Sequence, residues 1–145
     1  MPGWTIRRAQ PSDADALAAC IDAAYADTRA RLKDLPDVSA GVADDIKSHT
    51  VWVVELDDAI VGGLILMAKD GFALLANVAV DPASGGQGVG RGLITRAEAH
   101  CRASGLLELR LSTHVGMPEN VVLYERLGWV ETGRSGNKVH MTKRL

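Results

Sequence analysis

Cysteine is scarce: Cys20 and Cys101 stand alone, far apart and without metal-ligand spacing. That excludes a disulfide framework or a zinc centre as the organising feature, and two free thiols on buried helix faces are expected instead. A basic excess is also missing, since 16 Lys and Arg face 18 Asp and Glu for a formal net charge of −2. Nothing in that balance points to nucleic acid as a partner. No apolar run reaches membrane length and no leader pattern stands at Met1-Pro2-Gly3-Trp4. The expected location is therefore the cytoplasm, with no membrane partner. Repeats, linkers and low-complexity stretches are absent as well. What is present, 145 residues with 47% hydrophobic and 23% charged side chains, is expected to be one domain, residues 1–145, with a sizeable core.

One stretch organises the rest. Leu74-Leu75-Ala76-Asn77-Val78-Ala79-Val80-Asp81-Pro82 reads as an apolar strand, and it runs into Gly85-Gly86-Gln87-Gly88-Val89-Gly90-Arg91-Gly92, after which a helical pattern begins at Leu93. Glycine lets the backbone take positive φ and approach a ligand with no Cβ in the way. The unpaired N–H groups of the following helix add the positive end of its dipole. A phosphate or pyrophosphate can be held there by main chain, with Arg91 contributing a cationic side chain. The competing reading is a glycine-rich surface turn without a ligand, but five glycines in eight residues are costly in folding entropy unless something uses them.

Spacing separates three kinds of phosphate loop. Counted from Gly85, a P-loop would need Lys and Ser/Thr where Arg91 and Gly92 stand, so the phosphate lysine and the magnesium hydroxyl are missing. The dinucleotide fingerprint Gly-x-Gly-x-x-Gly would need glycine at Arg91 or Leu93. The stretch instead resembles the pyrophosphate loop of the Gcn5-related N-acetyltransferase (GNAT) superfamily, Arg/Gln-x-x-Gly-x-Gly/Ala after a strand ending like Val78-Ala79-Val80-Asp81-Pro82. Gly88, Val89 and Gly90 match its core, Gly86 and Gln87 fill its variable positions, and Gly85 stands where Arg or Gln is usual. A second local likeness is Leu123-Tyr124-Glu125-Arg126-Leu127-Gly128-Trp129, similar to the superfamily's Leu-Tyr-x-x-Leu-Gly-Phe element.

Patterning along the chain predicts the remaining elements. Trp4 to Ala9 alternates like an edge strand. Pro11 to Asp15 reads as a capped helix start, followed by Leu17, Ile21, Ala24 and Tyr25 at helical spacing. Arg29 to Leu35 is expected to form a second short helix or an irregular lobe, and Val42 to Lys47 another short helix. Val51–Leu56 and Ile60–Met67 form a hairpin over Asp57-Asp58, and Phe72–Val80 adds a third antiparallel strand after Lys69-Asp70-Gly71. After the loop comes a helix with Leu93, Ile94, Ala97 and Cys101 in one stripe, stopping at Gly105. The strand Leu106–Thr113, reached through that helix, must lie parallel to and near Phe72–Val80 in a right-handed β-α-β unit. A helix from Pro118 to Gly128 and two strands, Trp129–Thr132 and Val139–Leu145, close the chain. The fold class is mixed α/β (α+β), a mostly antiparallel twisted sheet flanked by helices with one β-α-β unit, and this order is similar to the GNAT fold over essentially the whole chain.

The resemblance implies an N-acetyltransferase that uses acetyl-CoA. Moving an acetyl group from a thioester requires a docked donor, an uncharged amine, polarisation of the carbonyl and a proton for the departing thiolate. By resemblance, the main chain of Val78, Ala79 and Val80 pairs with the pantetheine arm, and Gly85, Gly86, Gln87, Gly88, Val89, Gly90 and Arg91 take the pyrophosphate. Tyr124 matches the superfamily's proton donor, a task a phenol suits because it is protonated at neutral pH; packing on its helix is the alternative. The superfamily's cofactor-binding Asn precedes that tyrosine by seven residues, where Met117 stands, so Asn120 is either a cofactor contact or a cap. The positions of the superfamily's usual glutamate base carry Asn77 and Ser112, neither of which is a base; His114 is the candidate base, against a loop histidine with no role, and Glu55, Asp44 and Asp45 rank behind it. His49, His100 and His140 share no ligand spacing, and no metal is expected. Residues between Tyr25 and His49, among them Arg29, Arg31, Lys33, Asp34, Asp37, Asp44 and Asp45, are expected near the acceptor. The expected partners are acetyl-CoA and an amine, a small molecule rather than a protein terminus, with a homodimer left open. A coenzyme A binding or sensor module without catalysis is the second function class.

Overall fold

The computed structural model describes residues 3–32 and 39–145. The chain runs β1 (Thr5–Arg8), a 3-10 turn (Pro11–Asp13), α1 (Ala14–Arg31), α2 (Val42–Ser48), β2 (Thr50–Leu56), β3 (Ala59–Ala68) and β4 (Ala73–Val80). After a second 3-10 turn (Pro82–Ser84) come α3 (Val89–Ala103), β5 (Glu108–His114), α4 (Pro118–Arg126), β6 (Val130–Ser135) and β7 (Lys138–Arg144). Seven strands form one sheet in the order β1-β2-β3-β4-β5-β7-β6. Neighbours are antiparallel except β4 and β5, which are parallel and joined through α3.

Strand β2 shows why the central strands are continuously apolar. Side chains alternate across a sheet; Trp52 and Val54 enter one buried cluster with Leu93, Ala97 and Cys101 of α3, while Val51 and Val53 enter the other with Leu17 and Ile21 of α1 and Val42 of α2. Both faces of this half of the sheet are covered, so neither set of positions is polar. The hairpin turn works as its sequence suggests. Asp57 and Asp58 both take positive φ, 52° and 65°, the geometry that a two-residue β-hairpin turn favours and that aspartate tolerates.

At the sheet edge, Asp13 binds three donors. Its carboxylate accepts the Gln10 backbone N–H at 2.7 Å and two guanidinium nitrogens of Arg7 at 2.7 and 2.9 Å. Arg7 also pairs with Glu55 on β2. The guanidinium holds the Asp13 carboxyl below the usual aspartate range, so this clasp between β1, β2 and the start of α1 is complete at neutral pH and weakens as pH falls through that lowered value.

Two helix boundaries differ most from the sequence reading. Helix α1 continues unbroken to Arg31, so Arg29 belongs to its last turn and does not begin a separate helix; Lys33 and Asp34 of the expected lobe, and Asp37 beyond it, lie outside the described residues. Helix α3 begins at Val89, four residues before Leu93. Glycine is a poor helix former, but Val89 is buried in the core, and a side chain at Gly92 could not fit, because its Cβ would lie 2.6 Å from the Trp4 ring. Close packing of Trp4 thus accounts for one of the glycines, and the first turn of α3 is recruited from what reads as loop.

Candidate active site

Strands β4 and β5 pair through only two residue pairs, Ala73 with Leu109 and Leu74 with Arg110. Beyond that they part. On its other side β4 stays paired with β3, but the register jumps, Leu66 facing Leu75 and Ile65 facing Asn77, which leaves Ala76 as an extra residue. Such a bulge bends its strand and sharpens its twist. The far half of β4, from Ala76 to Val80, therefore presents to β5 a backbone edge that no described strand covers.

A groove fills the gap. One part, of about 370 Å³, lies between Val78–Val80 of β4, Gly90 and Arg91 of α3, and Asn120 and Tyr124 of α4. The other, of about 270 Å³, lies between Ala76 and Asn77 of β4 and Ser112, Thr113 and His114 of β5. Tyr25, Met117 and Asn120 line both, so the two are one continuous cleft. The end of α1 is tied to the β5–α4 connection by Arg31, whose Nη1 donates to the Gly116 carbonyl at 2.9 Å.

At the mouth of the first part sits the glycine loop. Gly86 and Gly88 have φ of 79° and 76°, the left-handed region that glycine enters without strain. A Cβ added at either would meet no protein atom within 4 Å, so these glycines leave space that the protein itself does not use. The first bond of the α3 ladder runs from the Gly92 N–H to the Gly88 carbonyl at 2.9 Å, which puts the N–H groups of Val89, Gly90 and Arg91 ahead of the helical ladder. The loop is also anchored. The Trp4 indole N–H donates to the Gln87 carbonyl at 2.9 Å, and Asp81 Oδ1 accepts the Ala83 N–H at 2.9 Å.

Tyr124 is buried, and its ring packs edge-on against Trp129 with centroids 5.6 Å apart. Burial, helped by the nearby Tyr25 phenol, raises its pKa; burial raises that of Tyr25 too. Both phenols keep their protons well past neutrality. Asn120 donates through Nδ2 to Thr113 Oγ1 at 3.3 Å, linking α4 to β5. His114 Nδ1 accepts the Gly116 backbone N–H at 2.9 Å. A neutral ring held that way carries its proton on Nε2, and the nitrogen with the lone pair faces an amide that cannot leave.

Residues 47–131, more than half of the chain, match the family model described as an acetyltransferase (GNAT) domain. The chain belongs to the GNAT family. A stretch of 75 residues is 31% identical to an IAA acetyltransferase of Azospirillum brasilense and covers 52% of this chain and 49% of that protein, so the match spans about half the length of this relative. Among solved structures, the PaiA N-acetyltransferase of Thermoplasma acidophilum, crystallised with coenzyme A, superposes with a TM-score of 0.88 at 18% identity over 98% of this chain and 99% of that one. The ribosomal-protein-S18-alanine N-acetyltransferase of Escherichia coli gives 0.80 at 20% identity over 97% and 93%. At these identities the likeness shows the GNAT fold.

The structure brings Val78, Ala79, Val80, Gly90, Arg91, Asn120 and Tyr124 to one part of the groove and His114 to the other. Gly85 to Gly88 lie exposed at its mouth. Tyr25 was legible only as an apolar-stripe position of its helix, yet it borders both parts of the cleft. Met117, noted only as standing in place of the superfamily's usual Asn, caps α4 and borders both parts as well. Trp4 gave no signal of its contact with the loop, because that contact spans 83 positions of sequence. Cys20 and Cys101 are buried free thiols on α1 and α3, and burial pushes Cys20 up to about 11. Among the described residues no cluster of three His, Cys, Asp or Glu could hold a metal ion, and no helix is long and apolar enough to cross a membrane.

Proposed function

We propose that this chain transfers an acetyl group from acetyl-CoA to the primary amine of a small molecule by direct attack, with Tyr124 protonating the departing thiolate. The observation that carries this reading is the convergence on one groove of the uncovered β4 edge, the first turn of α3 and the protonated Tyr124 phenol. Acetyl-CoA supplies an activated acyl carbon and a thiolate leaving group. Its pyrophosphate suits the open space at Gly86 and Gly88, where a Cβ would find no protein neighbour, together with the helix N-terminus and Arg91. The β4 edge at Val78–Val80 offers backbone groups for the amides of the pantetheine arm, as a strand would, and Asn120 lies across from it. The coenzyme A complex of the Thermoplasma neighbour, which has the same fold, supports this placement.

The acceptor belongs in the smaller part of the cleft. Asn77, Ser112, Thr113 and Asn137 line it with neutral polar groups, Lys138 brings positive charge, and its described lining includes no carboxylate. Nearby positive charge with no compensating carboxylate disfavours an ammonium, so an amine bound there is pushed toward the uncharged, nucleophilic form. A cavity of about 270 Å³ suits a small molecule. His114, held by the Gly116 N–H, is better placed to fix the β5–α4 connection than to take a proton. The test is thiol release from acetyl-CoA across a panel of small primary amines. Amine-dependent release is expected; binding of acetyl-CoA with no release under any amine would make the protein a coenzyme A binding module.

A further inference from the structure

Ser112 lines both the acceptor part of the groove and a larger trough of about 970 Å³ on the open face of β5, β6 and β7. Ser112 and His140 are direct cross-strand partners on β5 and β7. Ser112 Oγ lies 2.7 Å from His140 Nδ1, and His140 Nε2 lies 2.7 Å from Ser135 Oγ. The imidazole is thus held between two hydroxyls, in the order of a proton carrier, a base and a group that orients the base.

We infer that Ser112 and His140 act as one proton-accepting unit for the acceptor amine, an inference that rests on the N-acetyltransferase reading above. With the ring proton on Nε2 and donated to Ser135 Oγ, His140 Nδ1 accepts from the Ser112 hydroxyl, whose remaining lone pair is available to the groove. An ammonium N–H passes its proton to Ser112 Oγ while the Ser112 proton moves to Nδ1, leaving a neutral amine. That nitrogen attacks the thioester carbonyl carbon; the C–N bond forms, the C–S bond breaks, and the thiolate takes the Tyr124 proton. The second N–H proton returns to the Tyr124 oxygen, and His140 releases the first one to solvent through the trough. Two protons leave nitrogen, one ends on the thiol and one in water.

The contrast with His114 decides which histidine is used. His114 accepts at Nδ1 from an amide N–H, which cannot relay a proton, whereas Nδ1 of His140 faces a hydroxyl, which can. The acid that lines the trough is occupied: Glu108 pairs with Arg110 at 2.6 Å. From β7, Lys138 and Arg144 add positive charge, as does Lys69 from the β3–β4 turn. None of these offers the groove a spare base.

The test uses Ser112→Ala, His140→Gln, the double variant and Ser112→Thr, with the best amine of the panel and saturating acetyl-CoA. General base catalysis typically contributes 10²–10⁴-fold. Each single substitution is expected to lower kcat/KM for the amine at least ~10-fold at neutral pH, with acetyl-CoA affinity by calorimetry unchanged. The deficit should shrink at alkaline pH, where the amine loses its proton to water. The double variant should be no worse than the worse single one, as for residues that act as a unit, and Ser112→Thr, which keeps a hydroxyl, should restore most of the rate. An active wild type whose variants keep its rate and pH profile overturns the relay alone, as do pH-independent losses accompanied by lost acetyl-CoA affinity. A wild type that binds acetyl-CoA and acetylates no amine overturns the N-acetyltransferase reading and the relay with it.

Discussion

From Val78 to Arg91, one wall of the groove presents backbone: the uncovered edge of β4, the left-handed turns at Gly86 and Gly88, and the N–H groups that open α3. From Ser112 to His140, the opposite wall presents side chains, whose positions depend on strand pairing and on contacts far apart in sequence. Backbone chemistry requires few residue types, mainly glycine where φ is positive and an apolar strand before it. Side-chain chemistry can be met by many residue types, provided that the fold brings them together. On the proposed function the first wall would bind the donor, and the second would hold the acceptor and its base.

The sharpest way to break that contrast is on the backbone wall. Gly88→Val should abolish acetyl-CoA binding in a folded protein: a Cβ there meets no protein atom within 4 Å, so the main folding penalty is the left-handed strain, about 1–2 kcal/mol, and the side chain occupies the space left for the ligand. Gly90→Ala is the matched control. Gly90 lies inside α3, and its Cβ would make an ordinary 3.5 Å contact with Val80. That substitution should raise stability by about 0.5–1 kcal/mol and weaken binding far less than Gly88→Val. Calorimetry and thermal melts of the two together would show whether the left-handed turn, and not glycine content in general, forms the cradle.

On the side-chain wall the largest single effect is expected at Tyr124. Tyr124→Phe keeps the ring against Trp129 and removes only the hydroxyl, so acetyl-CoA affinity should stay near the wild-type value while turnover falls at least ~10-fold, within the range general acids contribute. Steady-state rates at saturating acetyl-CoA measure this. Equal turnover would make Tyr124 a packing residue; lost affinity with unchanged turnover would make it a binding residue only.

The smallest expected effect is at Trp4, which crosses between the categories because a side chain there fixes a backbone loop. Trp4→Phe retains an aromatic ring over Gly92 but loses the N–H bond to Gln87. A hydrogen bond contributes about 0.5–1.5 kcal/mol net, equivalent to roughly 2–10-fold in acetyl-CoA affinity, with kcat at saturation unchanged. An effect on kcat alone would contradict a role confined to the loop.

This division also explains what could be read from the chain. The hairpin over Asp57 and Asp58, the parallel β4–β5 pair and the α3 stripe follow from local periodicity and turn chemistry, and the structure has them within a few residues of where patterning puts them. The start of α3 was displaced because Gly90 and Gly92 read as loop, and only the Trp4 ring, packed from the other end of the chain, explains why a glycine sits inside a helix there. The bulge at Ala76 left no mark in a strand that is apolar but for Asn77. Ser112 is an ordinary polar position on β5 until β7 pairs with it and sets His140 alongside, a register that a separation of 28 positions does not encode locally.

A crystal structure of the protein with coenzyme A tests the central claim, that the parting of β4 from β5 is where the thioester is held. The pyrophosphate should lie against Gly86, Gly88 and the first turn of α3, the pantetheine arm along Val78–Val80, and the sulfur within hydrogen-bond reach of the Tyr124 hydroxyl. Coenzyme A bound in the trough beside Phe72 and Arg110, or in the groove with its sulfur turned away from Tyr124, would contradict it.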